Sequence, residues 1–297
     1  MQAAERTLMS PTIGAALASW RMPWLTCAFI LVTTALYLRG FARMHQQMPA
    51  RFTTRRMGFY ISGVAALAIA LVSPLAALDD KLLVTHMMQH LLLLLIAPPL
   101  LLLGAPQIPL VRAIPPLIAK RTIGVIAKSR VCRRCFNLLT YPANAFLLFS
   151  VAMLGWHLPG PFQIALRSSY WHAIEHGCFV VTGMIFWYPI VRPWPMVERW
   201  SRWAFVPYLL MADAENSVLA AFMVFSGRVL YPFYAGLPRI NGFPAITDQI
   251  VAGAIMWVPG SILFVIPAIV IVMRALAPHA LARPLGAHAL AIKMITR

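Results

Sequence analysis

Long runs of hydrocarbon side chains, broken by short polar stretches, dominate the pattern of this chain. Seven stretches stay predominantly apolar over about the 20 residues that a membrane-crossing helix needs: 18–38, 57–78, 82–103, 141–157, 172–190, 204–226 and 248–273. Inside hydrocarbon, free backbone N–H and C=O groups find no water. A span must therefore be a helix or a strand of a closed barrel, and runs this long are helical. The pattern predicts an all-α integral membrane protein, a single seven-transmembrane-helix bundle over 1–297 with no separate soluble domain. The fourth stretch is short, so it is expected to begin earlier or to sit where helices tilt. The first is long enough to remain as a helix and follows the acidic Glu5, unlike a cleaved signal peptide. The longest connection, 104–140, contains "AKRTIGVIAKSRVCRRCFNLL", a pattern suited to a basic amphipathic helix lying on a leaflet.

Composition agrees: 61% of residues are hydrophobic, 11% are charged, and the mean hydropathy is +0.76. The net charge of +17 would suggest nucleic acid in a soluble protein, but in a membrane protein its distribution matters more. One side of the predicted bundle holds Arg39, Arg43, Arg51, Arg55 and Arg56, the basic residues of 104–140, Arg192, Arg199 and Arg202, and Arg274, Arg283, Lys293 and Arg297. These make up 19 of the 25 basic residues; the other side has Arg6, Arg21, Lys81, Arg167, Arg228 and Arg239. Positively charged loops stay in the cytoplasm, which places the N-terminus outside and the C-terminus inside. Anionic lipid is a sufficient partner for the basic loops, and no nucleic acid is needed.

That topology sorts the eight histidines. His45, His279 and His288 fall among cytoplasmic basic residues and read as solvated. The other five fall at one depth on the extracytoplasmic side. His86 and His90, in "THMMQH", share a helix face about one turn apart. His157 ends the fourth span in "GWHLPGP", and His172 and His176 open the fifth in "WHAIEHG". Ionisable groups inside a membrane are costly and usually functional, so this convergence points to a metal site or a polar relay. Glu175, Asp248 and Gln249 are placed to join it as further ligands or as the groups that orient the imidazoles. Asp213 and Glu215, nearer the middle of the sixth span, are candidates for the same role. Met87 and Met88 offer soft thioether donors, although methionine is also a common packing residue. Cys132 and Cys135 form one CxxC, read as two reduced thiols because a second pair is missing. Imidazole alone suits zinc, copper, iron and nickel equally.

"HMMQHLLLLLIAPPLLLLGAP", "GWHLPGPFQIAL", "HAIEHGCFVVTGMIFWYPI" and "DQIVAGAIMWVPGSI", in this order on seven spans, resemble the CtaG-type cytochrome c oxidase assembly factors of caa(3)-type oxidases. The resemblance covers roughly residues 20 to 275 and carries over to His86, His90, His157, His172, His176, Asp248 and Gln249; the basic CxxC loop has no counterpart in it. It implies a protein of the bacterial inner membrane that helps copper reach a haem-copper oxidase. Its partners would then be oxidase subunits and a periplasmic copper carrier. Copper is the preferred metal on this ground and zinc the alternative. Three rivals remain at this stage. One is an intramembrane metal-dependent enzyme, a zinc hydrolase or a metal or quinone oxidoreductase, with Asp248 or Glu175 as general base. Another is haem ligation by the histidine pairs, and the third is a purely structural polar cluster. No catalytic serine motif, phosphate-binding glycine loop or nucleotide fingerprint is present.

Overall fold

The computed structural model describes Ala18, Trp20 and residues 22–195, 200–238 and 242–276. Arg6, Arg21, Arg199, Arg239, Arg283, Lys293, Arg297, His279 and His288 lie outside these. The described residues form helices and connections, with no strand among them. In chain order the helices are α1 (Trp24–Gln47), α2 (Thr54–Val72), α3 (Pro74–Leu78) and α4 (Leu83–Leu91). A π-helical segment, Leu92–Ile96, joins α4 to α5 (Ala97–Leu103). The long basic connection holds α6 (Gln107–Ala113), α7 (Pro116–Arg121), α8 (Ile123–Lys128) and α9 (Arg130–Leu139). After it come α10 (Pro142–His157), α11 (Pro159–Arg167), α12 (Ser169–Val191), α13 (Phe205–Phe225), α14 (Pro232–Ala235) and α15 (Ala245–Leu276).

Six helical stretches are long and apolar enough to cross a membrane: Trp24–Gln47, Thr54–Leu78, Leu83–Leu103, Ser169–Val191, Arg202–Phe225 and Ala245–Leu276. Large apolar side chains such as Phe29, Val151, Val181, Val218 and Ile266 are more than half exposed, as expected of a multi-pass membrane protein whose outer face meets lipid rather than water. The fourth expected span is where the fold departs from the pattern. Helix α10 has 16 residues and becomes a seventh span only together with α9, from which it is bent by 66°. Pro142 has no N–H and holds Tyr141 in an extended conformation (ψ 129°), so the chain leaves one helix and starts another. At the same end of the bundle α1 runs on to Gln47, which places Arg39, Arg43 and His45 on a helix rather than in a loop. His45 is not free in solvent as expected: its Nδ1 donates to the Phe52 carbonyl at 2.6 Å and its ring stacks on Phe41.

Apolar side chains gain little from burial against each other in lipid, so membrane helices pack by close approach of small residues and by polar contacts. Gly183 on α12 sits so near the π-helical segment and α5 that an added Cβ would fall 2.8 Å from the Leu94 oxygen and from Pro98 Cγ. Gly260 on α15 meets the amide of Asn216, whose Nδ2 donates to the Met256 carbonyl at 2.9 Å and locks α13 to α15. The π segment has a comparable explanation. Pro98 and Pro99 cannot donate to the carbonyls one turn earlier. The Leu94 oxygen is satisfied instead by the indole N–H of Trp187 on α12 at 3.2 Å, a repair available only because a neighbouring helix supplies the donor.

Candidate metal centre

The histidine-bearing end of the bundle is assembled around the start of α4. Leu82 is extended and α4 begins at Leu83, leaving its first N–H groups without intrahelical partners. Leu83 N and Val84 N donate to Oδ2 and Oδ1 of Asp248 at 2.9 and 3.0 Å. The carboxylate, carried on the first turn of α15, thus caps a different helix and complements its dipole. Gln249 accepts from Leu230 N at 2.7 Å and donates to the Met223 and Arg228 carbonyls at 3.0 Å each. These two residues, expected as ligands or as orienting groups, have their polar atoms occupied by backbone. They fix α4 and the approach to α14 in place.

One turn further along α4, His86 and His90 face Glu175 of α12. His86 Nε2 lies 3.6 Å and His90 Nε2 3.5 Å from the two oxygens of this carboxylate, and the three side chains are between 0 and 4% exposed. Both separations exceed a hydrogen bond. They match the spacing of two donors that share an ion at about 2 Å from each. One donor atom from each of the three residues can be chosen so that all lie within 4.8 Å of one another. The other three histidines surround this core. His157 stands beside His90, with ring centroids 5.3 Å apart, and its Nδ1 donates to the Met153 carbonyl at 2.6 Å. Since a carbonyl can only accept, the lone pair of His157 is left on Nε2. His172 stacks on His86 at 5.2 Å, and His176 lies 4.2 Å from His172 and 6.1 Å from His90. Five imidazoles from α4, α10 and α12 therefore meet in one place, and the helix-end residue His157 faces inward at 4% exposure.

Apolar rings close the surroundings: Phe162 of α11 lies 4.9 Å from His86, and Phe179 of α12 lies 4.4 Å from His90. Above them the Tyr231 hydroxyl donates to the His157 carbonyl at 2.9 Å, and the Tyr234 hydroxyl donates to the Asp79 carbonyl at 2.6 Å. Burial pushes both phenols far above their ordinary range, with the Glu175 carboxylate adding to the effect on Tyr231 and Asp79 to that on Tyr234. Both stay protonated donors at any physiological pH.

Asp79, which the sequence reading passed over, is 2% exposed. Its Oδ2 accepts from Gln89 Nε2 at 3.0 Å and lies 3.8 Å from His172 Nε2. The available hint was "LDDK", a pair of acids among only eight in the whole chain. Phe162, Tyr231 and Tyr234 carried no comparable hint. The remaining candidates lie elsewhere. Met87 packs among Phe162, Met223, Tyr231 and Tyr234, and Met88 is 40% exposed on another face of α4. The Glu215 Oε1 accepts from Ser150 on α10 at 2.9 Å. Glu215 and Asp213 are only partly buried and show no contact with the histidines among the described residues. Cys132 and Cys135 are exposed and unpaired on α9.

Two mycobacterial proteins, each an uncharacterised protein, one from Mycobacterium bovis and one from Mycobacterium tuberculosis, are 26% identical to the chain over 256 residues. The alignment covers 83% of this chain and 38% of each relative, so the chain matches well under half of their length. No solved structure matches. The family profile described as cytochrome c oxidase caa3 assembly factor matches residues 35–277, from the middle of α1 to the end of α15 and across every histidine of the cluster. The chain belongs to the cytochrome c oxidase caa3 assembly factor family.

Proposed function

We propose that the protein binds copper at His86, His90 and Glu175, with His157, His172 and His176 as exchange ligands, and passes it to a cytochrome c oxidase subunit during assembly. The observation that carries this reading is a set of buried donors without partners. His90 Nδ1 and Nε2, the Nε2 atoms of His86, His157 and His176, and both Glu175 oxygens have no hydrogen-bond partner. Each such group costs about 1–3 kcal/mol when left unsatisfied. A cluster of them in an apolar shell is unfavourable unless an ion or ordered water binds there, and a carboxylate set between two imidazoles favours a cation. Two imidazoles and a carboxylate suit copper and zinc alike; the choice of copper follows from the family's association with an oxidase. The charge distribution favours the bacterial inner membrane with the histidine end outward, where a periplasmic copper carrier can reach it, and the basic end against anionic lipid. The close-packed rings, 4.2 to 6.2 Å apart, argue against haem, which needs two imidazoles on opposite sides of a macrocycle.

Elemental mass spectrometry on the purified wild type and on a His86→Ala/His90→Ala variant tests the reading. Copper at a fixed ratio in the first and its loss in the second is expected. Zinc in its place would redirect the argument to a hydrolase, and a metal-free wild type after copper exposure would remove it.

A further inference from the structure

Metal binding at this centre leaves a question of access, because the donors of His86, His90 and Glu175 are almost completely enclosed. Helix α11 and the two tyrosines close the end of the bundle. One flank is open. A cavity of about 560 Å³ lies between α1, α2, α11 and α12, with Phe29, Leu67 and Val180 on its walls, Asp80 and Arg167 also lining it, and Asp79, His172 and His176 at its inner surface. Helix α1 covers the bundle least there: all its buried residues lie from Tyr37 onward, and none on its first three turns. The cleft meets the cluster at a graded series of donors. Asp79 and His172 stand 3.8 Å apart, with the His172 side chain 14% exposed. His172 in turn stacks on His86 at 5.2 Å.

We propose that the metal ion enters and leaves sideways through this cleft, with Asp79 and His172 as the first ligands and His176 as the relay to His86, His90 and Glu175. The inference rests on the metal-binding reading above. A cation in a cleft with apolar walls is strongly disfavoured unless an anionic group attracts it, and Asp79 supplies that group at the inner wall. Each transfer is a ligand exchange: one nitrogen or oxygen donor joins the ion as another leaves, and the oxidation state does not change. The transfers go to neighbouring donors, so the ion is never without a ligand.

Gly177 provides a test that spares every ligand. It lines the cleft, and a Cβ added there meets nothing within 4 Å. Gly177→Leu therefore fills open space, and leucine favours the helix over glycine. Gly155→Leu on α10, where an added Cβ also meets nothing and which does not line the cleft, is the control. Full-length protein in detergent is mixed with Cu(I) held by a colorimetric chelator, and the transfer rate and final stoichiometry are followed. Gly177→Leu is expected to slow loading by about tenfold, equivalent to ~1.4 kcal/mol on the barrier, with the stoichiometry unchanged, and Gly177→Ala should fall between. Equal rates for Gly177→Leu, the control and the wild type overturn the cleft route while leaving the centre intact. Failure of the wild type to take up Cu(I) overturns both.

Discussion

A carboxylate enclosed between two imidazoles that it does not quite reach sets the chemistry of the centre. If Glu175 is a ligand, its charge is an expense in the empty protein and an asset only when a cation is bound. Glu175→Gln keeps the volume and removes the charge. Copper affinity is then expected to fall by about 100-fold or more, beyond the 10–100-fold loss that follows removal of a group that only orients a ligand, while the melting temperature of the metal-free protein stays level or rises. Chelator competition and thermal unfolding in the same detergent measure the two effects, and a lowered melting temperature with unchanged affinity would make Glu175 structural. The five histidines were legible because polar groups in hydrocarbon are rare and the topology places them at one depth. Asp79 was not, because an acid between two spans ordinarily sits in interfacial water. Its burial depends on Gln89 and Tyr234, and Tyr234 comes from α14, more than 150 residues further along the chain.

Helix α4 carries His86 and His90, yet it is held at its start by a residue of α15. Asp248→Ala leaves the buried N–H of Leu83 and the half-buried N–H of Val84 without acceptors. This should cost on the order of 2 kcal/mol, from the lost cap and the unmet donors. A lower melting temperature, with a looser copper site although every ligand is present, is the expected result. Asp248→Asn keeps an acceptor and should recover part of both losses; wild-type stability in the alanine variant would show the cap to be dispensable. Most membrane-crossing helices were readable from runs of apolar residues, since length and hydropathy are local properties. The bend between α9 and α10 and the short helices α11 and α14 were less so. Each starts at a proline that reads equally well as a turn; α11 and α14 are ordered by the cluster they cover, whereas the bend lies at the far end of α10 from it.

For the molecule as a whole, the asymmetry of charge makes a prediction about orientation. Cys132 and Cys135 are exposed on α9, among the arginines of the basic connection. With Cys27 and Cys178 replaced by alanine, a membrane-impermeant maleimide should label this pair in inverted vesicles and not in right-side-out ones. Labelling in the right-side-out preparation would turn the bundle over and put the histidines on the cytoplasmic side. Packing of the bundle depends on how the two ends of one span relate. His86, His90, Leu94 and Pro98 recur every four residues, and all four meet α12, at Glu175, Gly183 or Trp187. In a regular α-helix a repeat of four drifts by about 40° per step, so Pro98 would end up about 120° out of phase with His86. The π segment at Leu92–Ile96 takes up one extra residue, removes about 100° of that drift and returns the two ends to nearly the same azimuth. The widened turn works as a phase corrector: it lets one helix keep a polar end and a tightly packed middle against the same neighbour.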